Sequence, residues 1–161
     1  MIVIVIMGVV YSMAVNNITR LSDESANIDL KNLKDYMINI PHESSVKLIC
    51  LDDCSECNLF VDGIKKQKID SFVDDSVRVY RYDYLYGFTK RDFNVFFNRE
   101  NVEENVCFSY KIDAEGIGDQ VLIEFKDKFY DFSPYFKATQ VYSSLEEANS
   151  AREQKAKEVM Q

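Results

Sequence analysis

The sequence predicts an α+β protein: a long N-terminal helix packed on an antiparallel β-sheet head, with a short C-terminal helix. Three observations carry this expectation. Residues 1–15, MIVIVIMGVVYSMAV, hold no charged side chain. Residues 16–39 then repeat apolar side chains at helical spacing. Beyond Pro41 the pattern becomes period-two alternation rich in β-branched and aromatic residues.

At a helical rise of about 1.5 Å per residue, the uncharged run spans about 22 Å. A bilayer core is about 30 Å thick, so the run is slightly short. Residues 1–15 are therefore expected to form the transmembrane part of the first helix. Residues 16–161 form the head, including the amphipathic half of that helix. In that half, Ile18, Leu21, Ala26, Leu30, Leu33 and Met37 are spaced by 3, 5, 4, 3 and 4 residues, which is one helical stripe. Ile18, Leu21, Leu30, Leu33 and Met37 are expected to lean on the head. Lys31 and Lys34 lie off the stripe, and Pro41 ends the helix.

Strands are expected over residues 46–51, 58–61 and 64–72, the last two joined by a hairpin turn at Asp62 and Gly63. VRVYRYDY over 77–84 puts Val77 and Val79 on one face and Tyr80, Tyr82 and Tyr84 on the other. Residues 88–97 read as strand or short helix. Val106, Phe108, Tyr110 and Ile112 alternate, as do Val121, Ile123 and Phe125. The AEGIG run over 114–118 supplies the turn between those two strands. One more strand, interrupted at Pro134, is expected over 129–141. Ser144 with Glu147 three residues on is a capping box that starts the last helix.

The 161 residues suffice for one domain with a core. Net charge is −8, and Lys65, Lys66 and Lys68 are the densest basic run, so direct nucleic-acid binding is not expected. Cys54 and Cys57 form a C-x-x-C, and in an exported chain a local disulfide between them is the simplest reading. Zinc held by Cys50, Cys54, Cys57 and either Cys107 or His42 is the alternative, although a second C-x-x-C is missing. Cys50 either pairs with Cys107 or stays a buried thiol. A thioredoxin-like redox role lacks its strand-to-helix context.

His42 is the one histidine, so Ser–His or Cys–His catalysis would have to use it; a surface role in the loop is the simpler reading. Asp113, Glu115 and Asp119 ring the AEGIG turn, either as Ca²⁺ ligands or as an ordinary acidic turn, and their spacing is not that of an EF-hand. The adjacent acid pairs read as solvated edges. The aromatics from Tyr80 to Phe97 are core of a small sheet domain or an exposed binding face, with core the simpler reading. No motif points to an enzyme, a cofactor or a resident metal.

IVIVIMGVVYSMAVNNI, with Gly8, Ser12 and Ala14 inside its apolar run, resembles the N-terminal segment of type IV pilins and type II secretion pseudopilins. The cleavage-site Gly, the methylated Phe and the Glu of that family would fall upstream of Met1, so a longer reading frame is expected. The resemblance covers about the first 37 residues. It implies a subunit of a secretion, DNA-uptake or adhesion filament. Its helix, presenting Ile2, Ile4, Ile6, Gly8, Tyr11 and Ala14, would assemble in the bacterial inner membrane with its head in the periplasm. Partners would be other pilin-like subunits and an inner-membrane assembly platform. The alternative is an exported soluble binding protein behind a signal peptide cleaved near Ser12, Met13 and Ala14.

Overall fold

The computed structural model describes residues 28–98, 100–134 and 137–159. Alternation builds its first sheet. Strands β1 (Ser45–Leu51), β2 (Glu56–Val61), β3 (Ile64–Asp70) and β8 (Val106–Asp113) pair antiparallel in the order β3-β2-β1-β8. Val46, Leu48 and Cys50 of β1 sit opposite Val61, Leu59 and Cys57 of β2, and opposite Ile112, Tyr110 and Phe108 of β8. All nine are buried. Each large side chain withdrawn from water contributes about 1.5–3 kcal/mol. The hairpin turn between β2 and β3 falls at Asp62 (φ 51°) and Gly63 (φ 76°), the paired positive φ values of a type I′ turn.

The second sheet runs β11-β10-β9-β4-β5. Its strands are β4 (Arg78–Asp83), β5 (Gly87–Lys90), β9 (Leu122–Phe125), β10 (Lys128–Asp131) and β11 (Gln140–Tyr142). Val79 and Ile123 pair across β4 and β9 and join the core of the first sheet. A two-stranded ribbon, β6 (Phe96–Phe97) with β7 (Glu103–Glu104), forms a ladder of its own. The segment that read as strand or helix is thus two short strands. The single interrupted strand expected over 129–141 is the β10–β11 pair.

AEGIG does not close a hairpin. β8 pairs with β1, whereas β9 pairs with β4 and β10, so the turn carries the chain from one sheet to the other. Alternation marks a strand but does not name its neighbour. One bridge, Ile112 to Gly118, survives at the crossing. Gly118 is tight there: a Cβ would come within 1.9 Å of the Tyr110 hydroxyl.

The expected long N-terminal helix is corrected. Helix α1 is Leu33–Ile38, only six residues. Ile28 and Asp29 are not helical. The Asn32 N–H donates to Asp29 Oδ1 and the Asp29 N–H donates to Asn32 Oδ1, both at 2.9 Å. This reciprocal box caps a helical turn at its start, so no continuous helix passes through Asp29. Among the described residues the protein is mostly β-sheet, and its longest helix is α2 (Leu145–Val159). Among the described residues the pilin-like α+β architecture is therefore replaced by β-sheets with two short helices.

Membrane placement is corrected with it. No helix among the described residues is long and apolar enough to cross a membrane, so the single-pass inner-membrane location is withdrawn. Ile2, Ile4, Ile6, Gly8, Tyr11, Ala14, Ile18 and Leu21 lie outside the described residues.

Leu30, Leu33 and Met37 are buried in the core shared by both sheets. Lys34, expected off the buried stripe, is also buried, at 3 % exposure. Its Nζ donates to the carbonyls of Pro134 and Lys137, tying α1 to the segment after β10. A one-turn helix wedged into a core is covered on more than one stripe, and a buried ammonium needs such acceptors. Desolvation pushes the Lys34 pKa down, against the pull of Asp35 and Asp131.

At the other end, the Glu147 N–H donates to Ser144 Oγ at 3.1 Å, capping α2 where the sequence places its start. The return leg goes one residue further back, because Ser143 N–H and Oγ both donate to Glu147 Oε2.

Both disulfides differ from the local reading. Cys50 bonds Cys57 and Cys54 bonds Cys107, so Cys54 and Cys57 are not partners. Cys50 and Cys57 sit directly opposite each other in the β1–β2 register, both pointing into the core. Cys54, in the turn between them at φ 66°, instead reaches Cys107 near the start of β8. With all four sulfurs paired, no thiolate is left to ligate zinc.

Candidate functional site

The pleat that buries one face of the first sheet leaves the other outward, and that face floors a groove of about 920 Å³. Its cross-strand rows follow from register. Lys65 of β3, Phe60 of β2, Lys47 of β1 and Lys111 of β8 form one row. Lys68, Asn58, Ile49 and Ser109 form the next, and Asp70, Glu56 and Leu51 begin the third. The β6–β7 ribbon walls one side, with Phe96, Phe97, Asn98 and Glu104 lining the groove. The Phe96 ring lies 6.0 Å from that of Phe60. Phe97 is 57 % exposed.

A bulge shapes the opposite wall. The β2–β3 register slips between Leu59 and Phe60, leaving Lys66 without a partner across the ladder. Such an extra residue bends a strand and re-aims its side chains. Lys65, Lys66 and Lys68 all line the groove in consequence. Lys68 is engaged, at 2.8 Å from Glu56 and 3.3 Å from Asp70, and Lys65 stands 3.9 Å from Glu56. The Lys68 hydrogen bond, with help from Lys65 and Asn58, holds the Glu56 carboxyl below its ordinary pKa. The wall's other carboxylate, Glu104, accepts from Asn98 Nδ2 at 3.0 Å. Lys47 and Lys66 have no ion-pair partner among the described residues.

Asn58 is the polar centre of the floor. It is 5 % exposed, and its Oδ1 has no protein hydrogen-bond partner. An unpaired buried acceptor costs about 1–3 kcal/mol, so it is conspicuous between the apolar side chains of Ile49 and Phe60 on that floor. The groove thus offers aromatic rings, two uncommitted cations and a hydrogen-bonding amide.

The other sequence candidates are scattered. His42 lies away from the groove lining, with Nδ1 2.7 Å from the Ile40 carbonyl and Nε2 2.9 Å from that of Asp113. Two carbonyl acceptors require both ring nitrogens to donate, which only the imidazolium does. These contacts, the Ile40 one first, raise the His42 pKa.

Asp113 spends its Oδ1 on the backbone N–H groups of Glu115 and Ile117, while Asp119 pairs with Arg91 at 3.3 Å. Asp113 is therefore occupied in closing its loop and Asp119 in an ion pair. No cluster of three or more His, Cys, Asp or Glu able to hold a metal occurs among the described residues.

Asp62 accepts from the N–H groups of Ser44, Ser45 and Glu43. Those bonds drive its carboxyl far below the ordinary range and pin the chain entering β1 to the hairpin turn. The aromatic stretch divides. Tyr80 donates to Glu124 Oε2 at 2.6 Å, and burial pushes its pKa up to about 12. Tyr82 stacks edge-on with Phe88, and the Arg152 guanidinium covers its ring at 4.0 Å. Tyr84 and Tyr86 are exposed.

The sequence carried a signal for the groove in Lys65, Lys66 and Lys68, read there only as a basic run. Asn58, Phe60 and Phe96 carried none, because their meeting depends on strand order. Comparison with protein-family models, with curated proteins and with solved structures finds no match to this chain.

Proposed function

We propose that this chain is an exported binding module. Its ligand lies in the groove on the outer face of the first sheet and combines a flat apolar body with an acidic group. The observation that carries this reading is Asn58, nine-tenths buried with an unpaired Oδ1, on a floor flanked by Phe60 and by Lys47 and Lys66. Aromatic faces receive the apolar body, the free ammonium groups receive the anion, and the amide fixes orientation. The clustering of four lysines around one groove stands out in a chain of net charge −8. Two disulfides support an oxidising compartment. The filament-subunit reading drew on an unbroken helix leading into the head, and the break at Asp29 removes that support.

Anilinonaphthalene sulfonate, an aromatic anion, is a direct probe. Titrated against the full chain, its fluorescence should saturate at one site. Lys47→Glu combined with Lys66→Glu should weaken that site by roughly tenfold, about 1.4 kcal/mol. Binding that does not saturate, or that the double variant leaves unchanged, refutes the proposal.

A further inference from the structure

The tip of the β4–β5 hairpin exposes three large side chains in a row: Tyr84 at 92 %, Leu85 at 79 % and Tyr86 at 79 %. We propose that this tip docks on an anionic lipid surface. The site lies on the second sheet, apart from the groove, and does not depend on it.

Four features of the hairpin fit that surface. First, its backbone is prepared to leave water. The N–H groups of Leu85 and Tyr86 both donate to Asp83 Oδ1, at 2.8 and 3.0 Å, so the turn supplies its own acceptor. Backbone donors entering a bilayer interface need such internal partners.

Second, the side chains suit the depth. Tyrosine sits at the headgroup level with its ring in the apolar boundary and its hydroxyl in water, and leucine reaches further in.

Third, the charge is complementary. Arg81 and Lys90 stand two and three ladder pairs behind the tip, exposed and without an ion-pair partner among the described residues. The two strands carry Arg78, Arg81 and Lys90 against the single carboxylate of Asp83, in a chain of net charge −8. That excess of cations stands behind the apolar tip on the same hairpin.

Fourth, the area is small. Three side chains offer roughly 500 Å², below the about 800 Å² that a stable protein interface takes from each partner. A lipid interface asks only for shallow insertion of about 5–10 Å. The base of the hairpin is held by the Tyr82–Phe88 contact and by Arg152 on Tyr82, so the tip is presented on a fixed support.

The chain has no tryptophan, so a single introduced one reports its own position. Full-length L85W should shift its emission to shorter wavelength on vesicles of phosphatidylcholine with phosphatidylglycerol. Phosphatidylcholine brominated on its acyl chains should quench it. Both effects should be lost in L85W carrying R81E and K90E, and on vesicles of phosphatidylcholine alone. S150W, on exposed α2, should show neither. Contact by another part of the chain would leave Leu85→Trp in water, so an unshifted or unquenched L85W overturns the proposal. Equal responses at positions 85 and 150, or on neutral and anionic vesicles, overturn it as well. A shift that appears with protein concentration and no lipid assigns the tip to a second copy and also overturns it. K47E/K66E should leave the L85W response intact, which separates failure of the groove reading from failure of this one.

Discussion

Removing the Cys54–Cys107 bond should destabilise the fold more than removing Cys50–Cys57, although of the four cysteines only Cys107 is less than fully buried. The two closures differ in reach, with sequence separations of 53 and 7 residues. In the chain-entropy treatment, a cross-link of separation 53 withdraws about 4.2 kcal/mol of freedom from the unfolded chain, and one of separation 7 about 2.4 kcal/mol. The bonds overlap without providing a shortcut for each other, so each keeps its full loop length. The double variants C54A/C107A and C50A/C57A each lose two sulfur atoms, so the change in packing is similar and largely cancels in the comparison. The expected gap is therefore about 1.8 kcal/mol, a large share of a stability of roughly 5–15 kcal/mol. Urea unfolding followed by far-UV circular dichroism reads it directly. With a slope of about 2 kcal/mol/M, the midpoints of the two variants should differ by roughly 0.9 M. Equal midpoints, or a lower midpoint for the short-loop variant, would show that loop length does not govern these bonds.

Two further outcomes follow from tight contacts. Gly118→Ala forces a Cβ onto the Tyr110 hydroxyl and should cost about 1–3 kcal/mol. Tyr110→Phe removes a buried hydroxyl that has no partner, so alone it should be close to neutral, and in the Gly118→Ala background it should restore part of the loss; thermal melts that add without coupling would refute the clash. His42 has a raised folded-state pKa, so its contribution is fully present below the ordinary value of about 6.5 and is lost as pH rises through the raised value. The melting-temperature gap between the parent and His42→Gln should be widest near about pH 5 and close at alkaline pH, and a gap that widens with pH would reverse the assignment.

The strands were legible because each reads from its own residues. Alternation at Val106 to Ile112 needs no knowledge of a partner, and Asp62 with Gly63 announces a turn by backbone preference alone. The start of α2 was legible for the same reason, since a capping box is local. The break at Asp29 was local too. Asp29 and Asn32 have the spacing of a reciprocal cap, and the apolar stripe running past them concealed it. What stayed hidden depends on non-local pairing: that β8 joins β1 while β9 joins β4, that Cys54 reaches Cys107, and that Lys34 finds two carbonyls a hundred residues later. The groove belongs to this second group. Its floor comes from the face of each strand that looked polar or unremarkable when read singly.

The order of the cysteines has a kinetic consequence. Cys54 lies inside the loop closed by Cys50 and Cys57, so the two native bonds interleave along the chain. Four thiols permit three fully paired arrangements. In an unfolded chain the shortest loop closes fastest, and that loop joins Cys54 to Cys57, a pairing absent from the native protein. A newly made chain oxidised without guidance therefore accumulates that bond first. It must then exchange it through attack by Cys50 on Cys57 or by Cys107 on Cys54. Oxidative maturation is thus limited by disulfide reshuffling, on a scale of seconds to hours unless an isomerase intervenes. Recombinant material made without one will be trapped in part with the wrong loop closed.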